Sequence, residues 1–414
     1  MKYLVLLGDG MAGYPLDELG GKTTLAYAKT PNMDYMAAHG KLGRAKTVPK
    51  GLPPGSDVAN LAVLGYDPAK HYTGRAPLEA ASIGVPLGPD DVAFRCNLVT
   101  LKHCDRSDSG SESSRRCYME DFSAGHITTP EAHKLIASIG EALGSDDIKF
   151  YPGVSYRHLM VWKGGKDRLE CVPPHDITGR EIADYMPVGD GSDVIDDLMR
   201  RSSGVLKGHD VNKARVEEGK HPANSIWLWG QGKKPSLPPF LEKYGLTGAM
   251  ISAVDLMKGI AAILGFKVLD VPGATGYIDT NYVGKAEAAL KALDDVDFVY
   301  VHVEAPDEAG HGGNMEHKVK AIEDFDDKVV GTVMEALKGR PGYRILVMPD
   351  HPTPVVLKTH TSDPVPFIIY EPGAEDTSRG HKAYNEEEAE RSSLYLEDGY
   401  KIMEYLINNG GSGN

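Results

Sequence analysis

The sequence predicts an α/β protein whose mainly parallel sheet is sandwiched by helices, with a smaller α+β module inserted into it. Three observations carry this reading. Short apolar runs rich in β-branched residues recur along the chain, and they are continuous rather than alternating. Continuity is what a strand buried on both faces requires, and such strands belong to parallel sheets covered by helices. Helical patterns separate these runs, but from about 91 to 237 the texture changes to hairpin-like segments, which is the mark of an α+β module.

The first strand is expected over 3–7. Thr30 and Pro31 then open a helix with a cap and a first-turn proline, and Gly40 closes it. In "GLPPGSDVANLAVLGYDP" (51–68) an apolar helix runs over 57–64 and Gly65 ends it. Proline and glycine clusters at 85–91 and 230–240 mark the edges of the module. They divide the chain into 1–87 with 239–414, and an inserted 88–238. Within the insertion, "VAFRCNLVTL", "IKFYPG", "YRHLMVWKGG" and "RLECVPP" read as strands, with helices near 130–143 and 192–203. The alternation of Trp227 and Trp229 reads as core packing. Beyond it, strands are expected over 298–303, 343–348 and 367–370. Helices are expected over 254–264, 285–293, 317–337 and 392–408. Asp324, Asp326 and Asp327 read as the solvated face of the third of these helices. The polar run 107–116 reads as a flexible loop and the tail 408–414 as disordered.

Composition narrows the function. The chain has 414 residues, more than one core usually supports, so two domains are expected. A formal charge of −14 argues against a nucleic-acid partner, while a small anionic substrate needs only a few Arg and Lys in one cleft. Four cysteines without a CxxC pair read as reduced thiols of a cytoplasmic protein. The apolar part of "MKYLVLLGDG" is shorter than the ~7–15 residues of a secretory signal, and no run approaches the ~20 residues of a membrane span.

Three strands end in acid or imidazole. Asp9 follows the first; Asp307 and His311, in "EAPDEAGHGG", follow the strand at 298; Asp350 and His351 follow the strand at 343. The carboxyl ends of parallel strands share the edge at which open α/β sheets bind ligands. His360 lies in the loop before the next strand and can fold over that rim. Carboxylates and imidazoles that converge in a partly buried site must be paired or metal-bound. Without thiolates, this set suits Mn²⁺, Zn²⁺, Co²⁺ or Mg²⁺, and the imidazoles tilt it away from Mg²⁺ and Ca²⁺. Six ligands exceed one tetrahedral catalytic site and suit two ions. Two ions in a rim point to phosphoryl transfer. Ser56, after the rigid Pro53-Pro54-Gly55 turn and at a helix amino terminus, then stands as nucleophile. As an isolated residue it reads equally as an N-cap.

These stretches, with "GDGMA" (8–12), "GRAPLEAASIGV" (74–85), "GATGYIDTNY" (273–282) and "MPDHPTP…KTHTSDPVPF", resemble the cofactor-independent phosphoglycerate mutases of the archaeal type, in the alkaline phosphatase superfamily. The resemblance implies an alkaline-phosphatase-like fold and a small phosphorylated substrate. It also implies one ion on Asp307, His311 and His360, another on Asp9, Ser56, Asp350 and His351, and no bisphosphoglycerate. Mn²⁺ is the leading metal. Phosphate would pass from the 3-hydroxyl of glycerate to Ser56 and back to the 2-hydroxyl while the insertion closes over the cleft. For the glycerate, the insertion offers Arg95, Asn97, Arg157, His158, His175 and Asp176. Arg157 would clamp a carboxylate or phosphate and Asp176 would shuttle a proton. Lys258 resembles the lysine that family members place on the transferring phosphate. His302, inside an apolar strand, reads as a hydrogen-bonded core residue.

Two alternatives use the same apparatus: a phosphohydrolase, or phosphotransfer to another small hydroxyl compound such as homoserine. The second needs an outside donor, and no GxxxxGK[ST] loop is present. A sulfatase lacks its Cys/Ser-x-Pro-x-Arg setting.

Overall fold

The computed structural model describes residues 1–104, 116–373 and 380–408. Most of the polar run at 107–116 and the tail beyond 408 lie outside the described residues. Two compact units emerge, one formed by 1–72 with 236–414 and the other by 73–235. The second starts earlier than the glycine and proline clusters suggest. Helix Ala76–Ser82 belongs to it, because Ala76 and Ala80 pack with Ala93, Leu159 and Val161.

The first unit is built on eight strands in the order Lys267–Val268, Gly248–Ile251, Phe298–Val303, Lys2–Gly8, Tyr343–Met348, Val365–Tyr370, Lys41–Ala45 and Tyr395–Leu396. The first five named are mutually parallel. Val365–Tyr370 runs against both of its neighbours. The central strands are continuously apolar because both faces are covered. Leu4, Leu6, Val299, Val301 and Val347 pack with Met33, Ala286 and Phe325 of helices on one side. On the other side, Tyr300 reaches helix Ser56–Val63. Among the described residues, no helix is long and apolar enough to cross a membrane.

Two helical expectations are corrected here. The stretch 317–337 is not one regular helix: Met315–Phe325 and Gly331–Leu337 flank a π-helical turn, Asp326–Val330. Of the three aspartates read as a solvated face, Asp327 is exposed, but Asp326 is fully buried and Asp324 nearly so. The stretch 392–408 is helical only from a 3-10 turn at Gly399–Lys401 into Ile402–Asn408, because Tyr395–Leu396 is recruited as an edge strand beside Lys41–Ala45.

The second unit is an antiparallel sheet in which Val92–Cys104 pairs with Arg116–Asp121, Arg157–Trp162 and Ser225–Lys233, and Ile148–Val154 adds to Arg157–Trp162. Helices Thr129–Leu143 and Ser192–Leu206 contribute to its core beside Phe94, Cys96 and Leu98. Trp227 and Trp229 are buried in that core, as their spacing suggests.

Candidate active site

The rim of the first sheet gathers the predicted ligands into two clusters. Asp9 extends the first strand by one ladder bond, its N–H donating to the Val303 carbonyl at 2.9 Å. Gly10 then turns the chain with φ +64°, a conformation that glycine adopts without strain. Asp350 and His351 follow the adjacent strand. Asp9, Asp350 and His351 are all buried, and each offers a ligand atom within 4.8 Å of the others. His351 Nε2 stands 3.7 Å from Asp9 Oδ1 and 3.4 Å from Asp350 Oδ2.

The second cluster is Asp307, His311 and His360. Asp307 and His311 lie one turn apart on helix Ala305–His311 and so share a face. His360 joins them because Val365–Tyr370 is antiparallel: its beginning lies at the edge where Tyr343–Met348 ends, which keeps the intervening loop on the rim. The Thr361 N–H closes that loop on the Pro352 carbonyl. Nε2 of His311 is 3.3 Å from Asp307 Oδ2, and Nε2 of His360 is 3.4 Å from Oδ1.

Ser56 is the first residue of helix Ser56–Val63, and Gly55 takes the N-cap position. Its hydroxyl is therefore free of capping duty, and Oγ lies 3.2 Å from His351 Nε2. Several supporting residues escaped sequence reasoning. Asn60 donates to Asp350 Oδ2 and to the Ser56 carbonyl, both at 2.8 Å, and accepts from the Tyr300 hydroxyl. Thr353 donates to Asp307 Oδ1. Lys318 is fully buried and donates to the carbonyls of Ala12 and Thr353, tying together the loops that follow Asp9 and His351. A lone Asn in the otherwise apolar run 58–63 was a visible signal; Thr353 and Lys318 offered none.

The candidate substrate residues fare unevenly. In the second unit, Asn97 is a correction: only 1% exposed, it accepts from Trp229 Nε1 at 3.0 Å and donates to the Phe122 carbonyl at 3.3 Å, so it is no more reachable than a core residue. Arg95 stacks its guanidinium 4.3 Å from the Trp229 ring centre, with Nε 2.9 Å from Glu79. His175 meets the same indole edge-on, with ring centres 5.3 Å apart. Arg157 lies opposite Asn97 in register and is exposed. Asp176 is exposed beside His175. His158 is a correction: opposite Cys96, it is only 2% exposed and accepts the Gly153 N–H at Nδ1, so a substrate cannot reach it. Lys258, in the first unit, pairs with Asp270 at 3.2 Å rather than with either cluster.

Relatives place this arrangement. A profile of 2,3-bisphosphoglycerate-independent phosphoglycerate mutases matches residues 37–212. The protein of that name from Methanosarcina barkeri is 54% identical over 98% of this chain and 99% of its own length. The chain belongs to the 2,3-bisphosphoglycerate-independent phosphoglycerate mutase family. Solved structures agree in fold. One is a protein from Pyrococcus horikoshii (29% identity, TM-score 0.81, covering 100% of this chain and 99% of that one). Another is a cofactor-independent phosphoglycerate mutase from Thermoplasma acidophilum (28% identity, TM-score 0.62, covering 99% and 100%).

The donor set of this mutase-family member fits divalent ions. All three site histidines turn Nε2 inward. The Nδ1 atoms of His311 and His360 face the carbonyls of Lys358 and Pro54, and that of His351 faces the Thr353 hydroxyl. A proton on Nδ1 leaves the Nε2 lone pair for a metal. The Nε2 atoms of His311 and His360 lie 2.8 Å apart, and Asp9 Oδ1 is buried with no hydrogen-bond partner. Electrostatics agree. Burial, then the nearby Asp350 and Asp307 carboxylates, push Asp9 well above the usual carboxylate range. Burial would also raise Asp307, but hydrogen bonds from His311 and His360 outweigh it and hold Asp307 well below that range. Burial lowers His351, partly offset by Asp350. It also pulls buried Lys318 down to about 8, against Asp307, Glu386 and Asp9. Crowded acids and inward-facing imidazoles are what a cation relieves.

Proposed function

We propose that this protein interconverts 3-phosphoglycerate and 2-phosphoglycerate by way of a phosphoserine at Ser56, without a bisphosphoglycerate cofactor. The observation that carries the reading is the Ser56 hydroxyl, released from capping and held at His351 Nε2. Asp307, His311 and His360 would hold one divalent ion, and Asp9, Ser56, Asp350 and His351 a second, with Mn²⁺ first in preference. Ions bound there would supply positive charge beside the attacking and leaving oxygens and would favour ionised Ser56. Ser56 Oγ attacks phosphorus, the bond from phosphorus to O3 of glycerate breaks, and O3 gains a proton. Once the glycerate has re-oriented, O2 attacks the phosphoserine, loses its proton and frees Ser56.

Asp176 is read as the group that moves those protons. Arg95, Arg157 and His175, all in the second unit, are read as holding the glycerate. Lys258 would reach a phosphate only by leaving Asp270. Retention of glycerate while the serine carries the phosphoryl group is the role read for the inserted unit, and the cytoplasm is the compartment that suits such a reaction.

The test is phosphorus NMR of metal-stripped protein restored with Mn²⁺ and given 3-phosphoglycerate. Formation of 2-phosphoglycerate without bisphosphate and with little inorganic phosphate is expected. Inorganic phosphate as the sole product would make the chain a phosphatase, and silence with metal bound would move it to another substrate.

A further inference from the structure

We infer that His302, held by Ser252, is a positioning residue that presents Asp9 to its metal ion. The inference rests on the two-ion reading above. Strands Gly248–Ile251, Phe298–Val303 and Lys2–Gly8 are consecutive parallel neighbours. Ser252 immediately follows the first, His302 is the penultimate residue of the second, and Asp9 immediately follows the third. Three adjacent strand ends therefore place a hydroxyl, an imidazole and a carboxylate in a row.

The hydrogen bonds along that row have one consistent direction. His302 Nε2 is 2.9 Å from Asp9 Oδ2 and Nδ1 is 3.1 Å from Ser252 Oγ. An ionised Asp9 can only accept, so Nε2 carries the proton and Nδ1 accepts from the Ser252 hydroxyl. Ser252 Oγ in turn accepts the Val254 N–H at 3.0 Å. Lys285, itself buried, fixes the backbone at this point by donating to the His302 carbonyl at 3.1 Å.

Apart from Tyr300, whose hydroxyl is bonded to Asn60, every other residue of the strand Phe298–Val303 is apolar, and all six are buried. A polar ring there is costly unless both of its nitrogens are satisfied, and both are. The effect falls on Asp9. One oxygen is claimed by His302, while the other is left buried and unpartnered on the side of His351. The imidazole sets the plane of the carboxylate and aims Oδ1 where the ion would bind. Residues that orient metal ligands in this way typically govern affinity by ~10–100-fold.

The experiment is Mn²⁺ titration of the full chain by electron paramagnetic resonance against a competing chelator, with thermal melting as the check on folding. Wild type should take up two ions. His302→Leu should weaken one of them by about 10–100-fold and leave the other unchanged. In an Asp307→Asn background, where the remaining ion is that of Asp9, His302→Leu should weaken that ion by the same ~10–100-fold. His302→Gln, whose amide N–H can still reach Asp9, should stay within a few-fold of wild type. A core-filling role would instead make Leu and Gln equivalent, and equal affinities in the two variants would overturn the inference. Should His302→Leu fail to fold, Ser252→Ala, which does not touch Asp9, decides: unchanged affinity for both ions would overturn the relay. Fewer than two ions in wild type would defeat the two-ion reading, and this inference with it.

Discussion

Gly10 shows how closely the residues of the site are packed. A Cβ there would lie 2.6 Å from Thr353 Oγ1 and 2.7 Å from Asp307 Oδ1, so Gly10→Ala must displace a ligand as well as strain the backbone. The expected outcome is at least a tenfold weaker ion at the Asp307 cluster, read by Mn²⁺ titration, with a parallel fall in kcat. Ser56→Ala should leave the melting temperature near that of wild type and abolish both turnover and ³²P labelling of the protein by substrate. Labelling that persists in this variant would place the nucleophile elsewhere. Asn60 is the residue on which Asp350, Ser56 and Tyr300 meet; Asn60→Leu leaves a buried carboxylate oxygen short of a donor. Stability should fall by about 1–3 kcal/mol, measured by urea unfolding of the metal-free chain. The candidate ligands were legible in the sequence because each is an acid or imidazole beyond the end of an apolar strand. Thr353 and Lys318 were not, since their value depends on what stands opposite them in space. His302 was read as core; it is core, and it also holds Asp9.

At the scale of elements, the π turn at Asp326–Val330 changes what a helix presents. Each residue of an α-helix advances about 100°, so one extra residue in a turn rotates everything beyond it. Asp326, which opens the turn, faces inward and accepts from the Met33 N–H at 2.7 Å and the Asn32 N–H at 3.2 Å, at the start of helix Pro31–His39. A strict 3.6-residue period already places Asp326 one turn after buried Ile322; it was read as solvated because it is an acid. Burial, opposed by the N–H groups of Met33 and Asn32, pushes its carboxyl up to about 6. The folded state thus binds this proton more tightly than the unfolded chain. The contribution is complete below the ordinary carboxylate range, near pH 4, and is lost as pH rises through about 6. Asp326→Asn should flatten that part of the stability profile, which urea unfolding at pH 4, 5, 6 and 7 would reveal; an unchanged slope would contradict it. Strand direction was equally hidden: apolar runs revealed that 343–348 and 367–370 are strands, but not that they run oppositely. That reversal keeps the loop bearing His360 on the rim.

At the scale of the molecule, the second unit is entered and left at almost one point. His71 Nδ1 lies 2.7 Å from the Ser236 carbonyl in the first unit, and the Thr73 hydroxyl donates to the Lys233 carbonyl at 2.6 Å in the second. Each unit has its own core. Residues 73–235 are therefore expected to fold alone, with a cooperative thermal transition and dispersed amide NMR signals. Replacing them in the full chain by a short Gly-Ser linker should leave a metal-binding host. That host should release inorganic phosphate from 3-phosphoglycerate rather than form 2-phosphoglycerate. Retained mutase activity in it would remove the second unit from the reaction.

The paired crossing also dictates how the chain would respond to force. Tension applied between the amino terminus and the helix Ile402–Asn408 passes through the host sheet, whose central strand Lys2–Gly8 is held by Phe298–Val303 on one side and Tyr343–Met348 on the other. While residues 71 and 236 remain side by side, none of that load enters the inserted unit. In a stretching experiment the host should rupture first, and only then should the insert bear force and give its own, later extension.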